Sequence, residues 1–283
     1  MPELPEVETI VRDLNDYLVN KKIKTVEVLN LGSINQKPAV FKKNLEGQKI
    51  TKLYRRAKNI VAQVNQDYLV IHLKMTGQLV WRTGQTTLAG GHPIVNVGQE
   101  LPNKFTRAVL KFSGGTLYFN DVRKFGWLRI MTPEELATYL GRFGVEPLED
   151  TFSLEYLKSA LAKRKINIKA ALLDQSQIAG LGNIYVDEAL WASGIAPTRA
   201  ANSLKLVELK KLHKAIIDVL SLSISKRGTS FNNYRDANGE RGQNMKFLQV
   251  YGRAGESCQK CKRPIKKMRL AGRGTHWCDH CQK

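Results

Sequence analysis

Four cysteines near the C-terminus constrain this chain more than any other feature of its sequence. They form two Cys-x-x-Cys pairs within the last 26 residues, and sixteen residues separate the pairs. Such spacing can place four thiolates around one zinc ion, and the glycines at 272 and 274 suit a hairpin tip between the pairs. A disulfide framework would be spread over the whole fold, and a thioredoxin-like redox site needs one pair only. The spacing therefore predicts a structural zinc ribbon with the ligands Cys258, Cys261, Cys278 and Cys281.

Excess positive charge indicates the class of partner. The 283 residues include 45 Lys and Arg against 25 Asp and Glu, which gives a formal net charge of +20. So large an excess repels itself in the folded state and is typical of proteins that bind a polyanion. No apolar run approaches the ~20 residues that span a bilayer, and glutamates at positions 3, 6 and 8 differ from the basic start of a signal peptide. We expect a nucleic-acid partner in the cytosol rather than a membrane surface, and a monomer without an obligatory protein partner.

The periodicity of apolar residues divides the chain. Helical spacing up to about residue 20 is followed by alternation typical of strands at 23–29, 50–54, 60–64, 68–75, 79–81, 108–112, 116–120 and 127–131. Residues 83–104 are polar and rich in turn-forming residues, and are predicted as a long surface loop. Helical spacing returns at 132, with helices expected at 153–162, 168–174, 183–193 and 203–226. We predict a β-rich domain at 1–131, a helical region at 132–249 with a polar loop at 229–246, and the zinc ribbon at 250–283.

The N-terminus carries a candidate nucleophile. Methionine before proline is normally removed, and this exposes the secondary amine of Pro2. An α-amino group has a reference pKa near ~8 against ~10.4 for lysine, and a secondary amine can condense with a sugar carbon to give an iminium. Nearby glutamates raise the pKa of such an amine, so cationic or desolvating neighbours are needed to counter them, and Lys58 is one candidate. Glu3 and Glu6 lie on one face of the helix start and can move protons, although the helix dipole explains acids there equally well.

Two features of the C-terminal half favour phosphate binding. The zinc module is strongly basic, which indicates phosphate contacts or, alternatively, only a solvated surface. Arg273 lies between two glycines, where it can reach a phosphate or a minor groove or be an ordinary turn arginine. Asn183 follows Gly180-x-Gly182 at a predicted helix start, and exposed backbone amides at such a start attract anions.

Several motifs together resemble one family. The opening Pro2-Glu3-Leu4-Pro5-Glu6-Val7-Glu8-Thr9 is similar to that of the formamidopyrimidine-DNA glycosylases, whereas the endonuclease VIII branch typically has glycine in place of Leu4. The resemblance continues, in family order, through the segments 55–58, 72–75, 121–126, 180–188 and 271–276. It departs from the family at Lys74, at residues 103–107, where a histidine-rich motif is common, and in the length of 83–104.

The resemblance implies roles for individual residues. Pro2 is the nucleophile at C1′ of the sugar, Glu3 is the acid that helps to open the deoxyribose, and Glu6 supports the same site. The residues implied to hold the DNA backbone are Lys58, His72, Asn183 and Arg273, of which Lys58 and Arg273 are grouped with the catalytic residues. Those implied to fill the gap left by an extruded base are Met75, Arg123 and Phe125. Those implied to contact the lesion from the polar loop are Ser230 and Tyr234.

Strand alternation alone offers plainer interpretations of three of these residues. Met75 shares a predicted strand face with Ile71 and would be a core residue, and Phe125 would be a packed aromatic. His72 lies on the opposite strand face, with Lys74, so a buried structural histidine is the weaker alternative there.

The resemblance also implies the fold and the activity. We expect an α+β multidomain protein in which an N-terminal β-sandwich with a catalytic helix and a C-terminal helix-two-turn-helix domain with a four-cysteine zinc ribbon flank a DNA groove. The expected activity is excision of oxidised purines from damaged double-stranded DNA, followed by β,δ-elimination, in the bacterial cytosol. Zinc is expected to be structural, and no redox or nucleotide cofactor is expected. The alternatives are an endonuclease VIII-like glycosylase for oxidised pyrimidines and a zinc-ribbon DNA-binding protein without chemistry.

Overall fold

A computed structural model describes residues 1–84, 86–92, 100–228 and 244–283. The described residues form two compact units, the first containing Met1–Gly141 and residues 226–228, the second Arg142–Ser225 and Asn244–Lys283. No helix among the described residues is long and apolar enough to cross a membrane.

The first unit is built from two antiparallel sheets and a long N-terminal helix. Its helices are α1 (Leu4–Leu18), α2 (Pro38–Leu45) and α3 (Pro133–Leu140). Its strands are β1 (Ile23–Val28), β2 (Ile50–Arg56), β3 (Asn59–Val64), β4 (Asp67–His72), β5 (Gly77–Arg82), β6 (Thr87–Gly91), β7 (Thr106–Phe112), β8 (Gly115–Asp121) and β9 (Trp127–Met131). The strand orders are β1-β7-β8-β5-β6 and β2-β3-β4-β9. Both sheets and α1 contribute side chains to one buried apolar cluster, which confirms the expected sandwich with its helix.

The second unit combines helices with a two-stranded ribbon. Its helices are α4 (Leu154–Ala162), α5 (Ile168–Leu173), α6 (Asn183–Ser193) and α7 (Leu206–Ser225). The strands β10 (Lys266–Leu270) and β11 (Arg273–Trp277) pair antiparallel between the two cysteine pairs. Gly182 precedes α6, and Gly194 ends it with a left-handed φ of 76°, which is why sequence alone predicts the bounds of this helix.

Two expectations about the first unit are wrong in part. The strand predicted at 68–75 ends at His72, because Lys74 has a left-handed φ of 50° and the N–H of Gly77 turns back to the carbonyl of Leu73 at 2.8 Å. The loop predicted at 83–104 contains β6, which pairs with β5. Gly90 in β6 lies against α1 so closely that a Cβ there would come within 2.3 Å of Ile10. A strand that needs glycine for close packing resembles a loop in sequence.

Candidate functional site

The start of α1 holds Pro2 and both candidate acids in buried positions. Pro2 is buried, Glu3 is the N-cap of α1, and the side chains of Glu3 and Glu6 are almost wholly enclosed. The N–H of Glu3 donates to the carboxylate of Glu6 at 2.9 Å, as in a capping box. Glu6 therefore fixes the peptide that joins Pro2 to Glu3. The hydrogen bond by which Glu6 caps the helix is also the one through which we expect Glu6 to support the site.

Lys58 lies at the tip of the β2–β3 hairpin, close to α1. The hairpin is tied to the helix by Arg55, whose Nε donates to Glu8 at 2.9 Å and whose Nη1 donates to the carbonyl of Ala57 at 3.1 Å. Lys58 is buried, and the next residue, Asn59, pairs with His72 across β3 and β4. The structure thus brings Lys58 and His72 into one neighbourhood, although they are 14 positions apart in the sequence.

His72 is a neutral hydrogen-bond donor. Its Nδ1 accepts the backbone N–H of Lys74 at 2.9 Å, which leaves the ring proton on Nε2. Burial, together with the cations of Lys74, Lys58 and Arg129, lowers the pKa of His72 from 6.5 to about 3. The ring is half-buried against Trp127, so it is neither a core histidine nor a free cation.

Met75, Arg123 and Phe125 lie on two exposed turns. Met75 is 36% exposed on the turn between β4 and β5, and Phe125 is 53% exposed between β8 and β9. The interpretation of Met75 as a core residue is therefore wrong, because the strand ends before it. Phe125 is not packed into the core either; the guanidinium of Arg123 lies 4.8 Å from its ring centroid.

Asp121 ties these two turns together. Its fully buried carboxylate accepts a short hydrogen bond from the hydroxyl of Thr76, next to Met75. It also accepts the N–H of Arg123 at 3.2 Å and that of Gly126 at 2.6 Å. The hydroxyl of Thr76 in turn accepts the N–H of Arg123 at 3.0 Å. One buried acid thus positions all three side chains that are implied to fill the gap, a role that the sequence analysis did not assign to it.

In the second unit, the side chain of Asn183 is bound to the strand that carries Arg273. The side-chain amide of Asn183, the first residue of α6, donates to the carbonyl of Gly274 at 2.9 Å. Lys169 donates to the same carbonyl at 3.1 Å and to the carboxylate of Asp187 at 2.6 Å. Both members of this ion pair are fully buried. A buried Lys–Asp pair thus anchors the strand that carries Arg273, and sequence reasoning missed both residues.

Arg273 opens β11 rather than forming the tip of the ribbon. The two-residue tip is Ala271–Gly272, with left-handed φ values of 49° and 71°, as a tight hairpin of type I′ requires. Arg273 is exposed, and it forms no ion pair within the described parts of the chain. Its charge is therefore available to an anion.

The four cysteines fit one zinc ion. Their sulfur atoms all lie within 4.8 Å of one another. Two of the separations are 4.0 Å, between Cys258 and Cys281, and 3.4 Å, between Cys261 and Cys278. Tetrahedral ligation with Zn–S bonds of about 2.3 Å requires separations of about 3.8 Å. The ribbon therefore binds one structural zinc through Cys258, Cys261, Cys278 and Cys281.

The thiol pKa values also fit a metal site. Burial raises the pKa of Cys258, but hydrogen bonds from its surroundings, the largest from the N–H of Cys261, together outweigh burial, and the pKa falls to about 6. Burial and the neighbouring thiols raise the pKa of Cys281 to about 12. Four thiolates this close repel one another until a cation neutralises them, which is what Zn²⁺ supplies.

Ser230 and Tyr234, the expected lesion contacts, lie outside the described residues.

Comparisons with known proteins cover the whole chain. Three family profiles match it: the formamidopyrimidine-DNA glycosylase N-terminal domain at residues 1–128, the H2TH domain of the same enzyme at 143–234, and the zinc finger found in FPG and IleRS at 255–283. The formamidopyrimidine-DNA glycosylase of Desulfitobacterium hafniense is 43% identical over 286 residues, with 100% of both chains covered. That of Streptococcus pneumoniae is 38% identical, with 100% of this chain and 99% of the relative covered.

Solved structures agree with this assignment. Wild-type Lactococcus lactis Fpg in complex with DNA containing N7-benzyl-Fapy-dG has a TM-score of 0.88 at 34% identity, with 100% of both chains covered. The complex of Lactococcus lactis Fpg with DNA containing an abasic site also has a TM-score of 0.88 at 34% identity, with 99% of each chain covered. The chain therefore belongs to the formamidopyrimidine-DNA glycosylase family.

Proposed function

We propose that this protein excises oxidised purines, such as 8-oxoguanine and formamidopyrimidines, from duplex DNA and then cleaves the abasic site. The observation that carries this proposal is the buried start of α1, where Glu6 holds the Pro2–Glu3 peptide in place. Relatives that span the full chain bear the name of this glycosylase, and solved relatives are complexes with DNA that contains Fapy-dG or an abasic site.

The proposed reaction uses the amine of Pro2 once Met1 has been removed. Its lone pair attacks C1′ of the damaged nucleotide, and the base leaves with the electrons of the glycosidic bond. The attacking nitrogen gives up its proton, which offsets the proton that the departing base takes up. Glu3 then protonates the ring oxygen O4′ as the C1′–O4′ bond breaks, and the nitrogen lone pair forms the C1′=N bond of an iminium. Loss of a C2′ proton then expels the 3′ phosphate (β-elimination), and a second elimination expels the 5′ phosphate. Removal of the base and strand cleavage thus share one covalent intermediate.

Neighbouring cations support the nucleophile. Lys58 lies buried at the hairpin that Arg55 and Glu8 tie to α1, and its charge opposes the effect of the glutamates on the amine. A positive neighbour disfavours protonation of the Pro2 amine and leaves more of it as the free base at neutral pH.

The remaining site residues hold the DNA. Lys58 and Arg273 supply charge to phosphates, whereas His72 and Asn183 supply neutral donors. Met75, Arg123 and Phe125 enter the space of the extruded nucleotide, for which their exposure on two linked turns suits them. Ser230 and Tyr234 contact the lesion, a proposal that rests on the family resemblance alone.

For the functional regions we propose the bounds that the sequence predicts. Residues 1–131 carry the chemistry, 132–249 bind DNA with the lesion segment at 229–246, and 250–283 form the zinc ribbon. The zinc has a structural role in this scheme, because four sulfur ligands leave no position for a reacting water. The protein acts in the bacterial cytosol, as a monomer without an obligatory protein partner; its relatives are bacterial enzymes.

Cleavage of matched duplexes tests the proposal. The full-length zinc-loaded protein is incubated with duplexes that contain 8-oxoguanine, thymine glycol or no lesion, and mass spectrometry first verifies that Met1 is absent. We expect β,δ-elimination products from 8-oxoguanine, much slower cleavage at thymine glycol, and none without damage. Preference for thymine glycol would favour the endonuclease VIII-like activity, and tight binding without cleavage of either would favour a DNA-binding protein without chemistry.

A further inference from the structure

Trp191 lies against the zinc site from the last turn of α6. It is 8% exposed and packs in one buried cluster with Val250, Cys258, Ile265 and Cys278. Its indole Nε1 is buried and has no hydrogen-bond acceptor of normal geometry among the described residues. A buried donor without an acceptor is destabilising, because it has lost its hydrogen bond to water, so such a group calls for an explanation.

The sulfur of Cys258 is the acceptor that zinc binding would provide. Cys258 is buried in the same cluster as Trp191, and it precedes by two positions Lys260, whose ammonium lies over the Trp191 ring. A thiol is a weak acceptor, but a zinc-bound cysteine is deprotonated and accepts hydrogen bonds more strongly. Zinc binding therefore makes the sulfur of Cys258 a stronger hydrogen-bond acceptor for the Trp191 N–H.

Lys260 holds the indole in this position. It lies between Cys258 and Cys261, and its ammonium is 4.1 Å from the centroid of the Trp191 ring. The same ammonium donates to the carbonyls of Trp191 at 3.1 Å and Ala192 at 3.3 Å, at the C-terminus of α6. Cation–π attraction and the helix dipole both favour this arrangement, so the first cysteine pair is fastened to α6 through Lys260.

We propose that Trp191 is a positioning residue of the zinc site, whose N–H donates to the zinc-bound thiolate of Cys258 while Lys260 fixes the ring. The proposal concerns retention of the metal and does not depend on the glycosylase activity. Because Trp191 belongs to α6, the helix that begins at Asn183, the proposal also implies that this helix helps the ribbon to retain zinc. Partners in the outer shell of a metal site typically change its affinity by about 10- to 100-fold.

The test measures zinc release from the full-length protein to excess chelator, read with a zinc-sensitive dye. The variants are Trp191→Phe and a protein with benzothienylalanine at position 191 alone, which keeps the shape of the indole but lacks the N–H. We expect release to accelerate about 10-fold in both. Trp277→Phe is the matched control, since Trp277 is adjacent to Cys278 in sequence, and we expect its release rate to stay at the wild-type value.

Cobalt substitution supplies a second readout. Loss of a hydrogen bond to a thiolate makes the sulfur a stronger electron donor, so the sulfur-to-cobalt charge-transfer band should move to longer wavelength in the benzothienylalanine protein. A band and a release rate identical to wild type in that protein would overturn the proposal, because Trp191 would then act through packing alone. The analogue also decides the matter if Trp191→Phe does not fold.

Discussion

His72 and Arg273 show how two residues with the same proposed partner differ in chemistry. The backbone N–H of Lys74 occupies Nδ1 of His72 and fixes a neutral ring that donates through Nε2. Arg273 remains charged and, among the described residues, makes no ion pair. A phosphate held by His72 therefore gains a hydrogen bond without charge neutralisation, whereas one held by Arg273 gains both.

Stability of the fold should depend on pH through His72. Its folded pKa of about 3 lies below its ordinary value of 6.5, so the unfolded chain binds a proton in that window which the folded chain does not. The contribution of the neutral ring is complete above pH 6.5 and is lost as the pH falls toward about 3, with a slope of at most about 1.4 kcal/mol per pH unit. Denaturant unfolding of wild type and His72→Asn from pH 7 to pH 4 checks this. Equal slopes for the two proteins would contradict it.

Salt dependence of DNA binding should separate the two residues. Each neutralised phosphate of B-DNA contributes a slope of about −0.9 to log K against log salt. We expect Arg273→Gln to weaken binding and to reduce the slope by about 0.9. His72→Asn should weaken binding without changing the slope, because no cation is lost at neutral pH. Fluorescence anisotropy at four salt concentrations measures both, and a shallower slope for His72→Asn would show that the ring is charged in the complex.

At the scale of elements, buried polar groups hold the functional turns. Asp121 at the end of β8 joins the turn of Met75 to the turn of Arg123 and Phe125. This link joins segments that are far apart in the sequence, since Thr76 and Asp121 are separated by 45 positions. Periodicity predicts β8 correctly up to Asn120. It does not indicate which turn the carboxylate of the next residue, Asp121, binds.

Removal of the Thr76 hydroxyl should loosen this link. Thr76→Val keeps the shape of the side chain but loses the hydrogen bond to the Asp121 carboxylate, and we expect the free energy of unfolding to fall by about 2 kcal/mol. Base excision should slow more than DNA binding weakens, because the side chains that we propose to fill the gap lose their fixed position. Urea unfolding and single-turnover excision measure these effects. Thr116→Val, on β8 but outside this network, is the control, and equal effects of the two substitutions would refute the role of the link.

The buried pair of Lys169 and Asp187 makes a comparable prediction for the second unit. Lys169→Met leaves an uncompensated carboxylate in the interior, and we expect a loss of about 3–5 kcal/mol in the free energy of unfolding. The double variant Lys169→Met, Asp187→Leu should recover part of this loss, because neither charge remains. Lys214→Met removes an exposed ion pair with Asp218 and should cause no measurable change. Urea unfolding of the three variants checks this, and a double variant no more stable than Lys169→Met would contradict it.

At the scale of the whole molecule, the sequence predicts most of what is local. The zinc ligands, the capped start of α1 and the bounds of α6 follow from residues a few positions apart. The pair of Lys169 and Asp187 and the packing of Gly90 on Ile10 depend on contacts between distant segments, so no local pattern indicates them. The sequence therefore predicts candidate functional residues, while the structure identifies the residues that hold those candidates in place.

In the proposed function, everything depends on one covalent bond, between Pro2 and the sugar of a damaged nucleotide. Borohydride reduction of the zinc-loaded protein on a duplex with 8-oxoguanine, followed by peptide mapping, tests this bond most directly. We predict a crosslink that maps to Pro2 and is absent with undamaged DNA. No crosslink from protein that has a free Pro2 and binds the damaged duplex tightly would contradict the proposed chemistry.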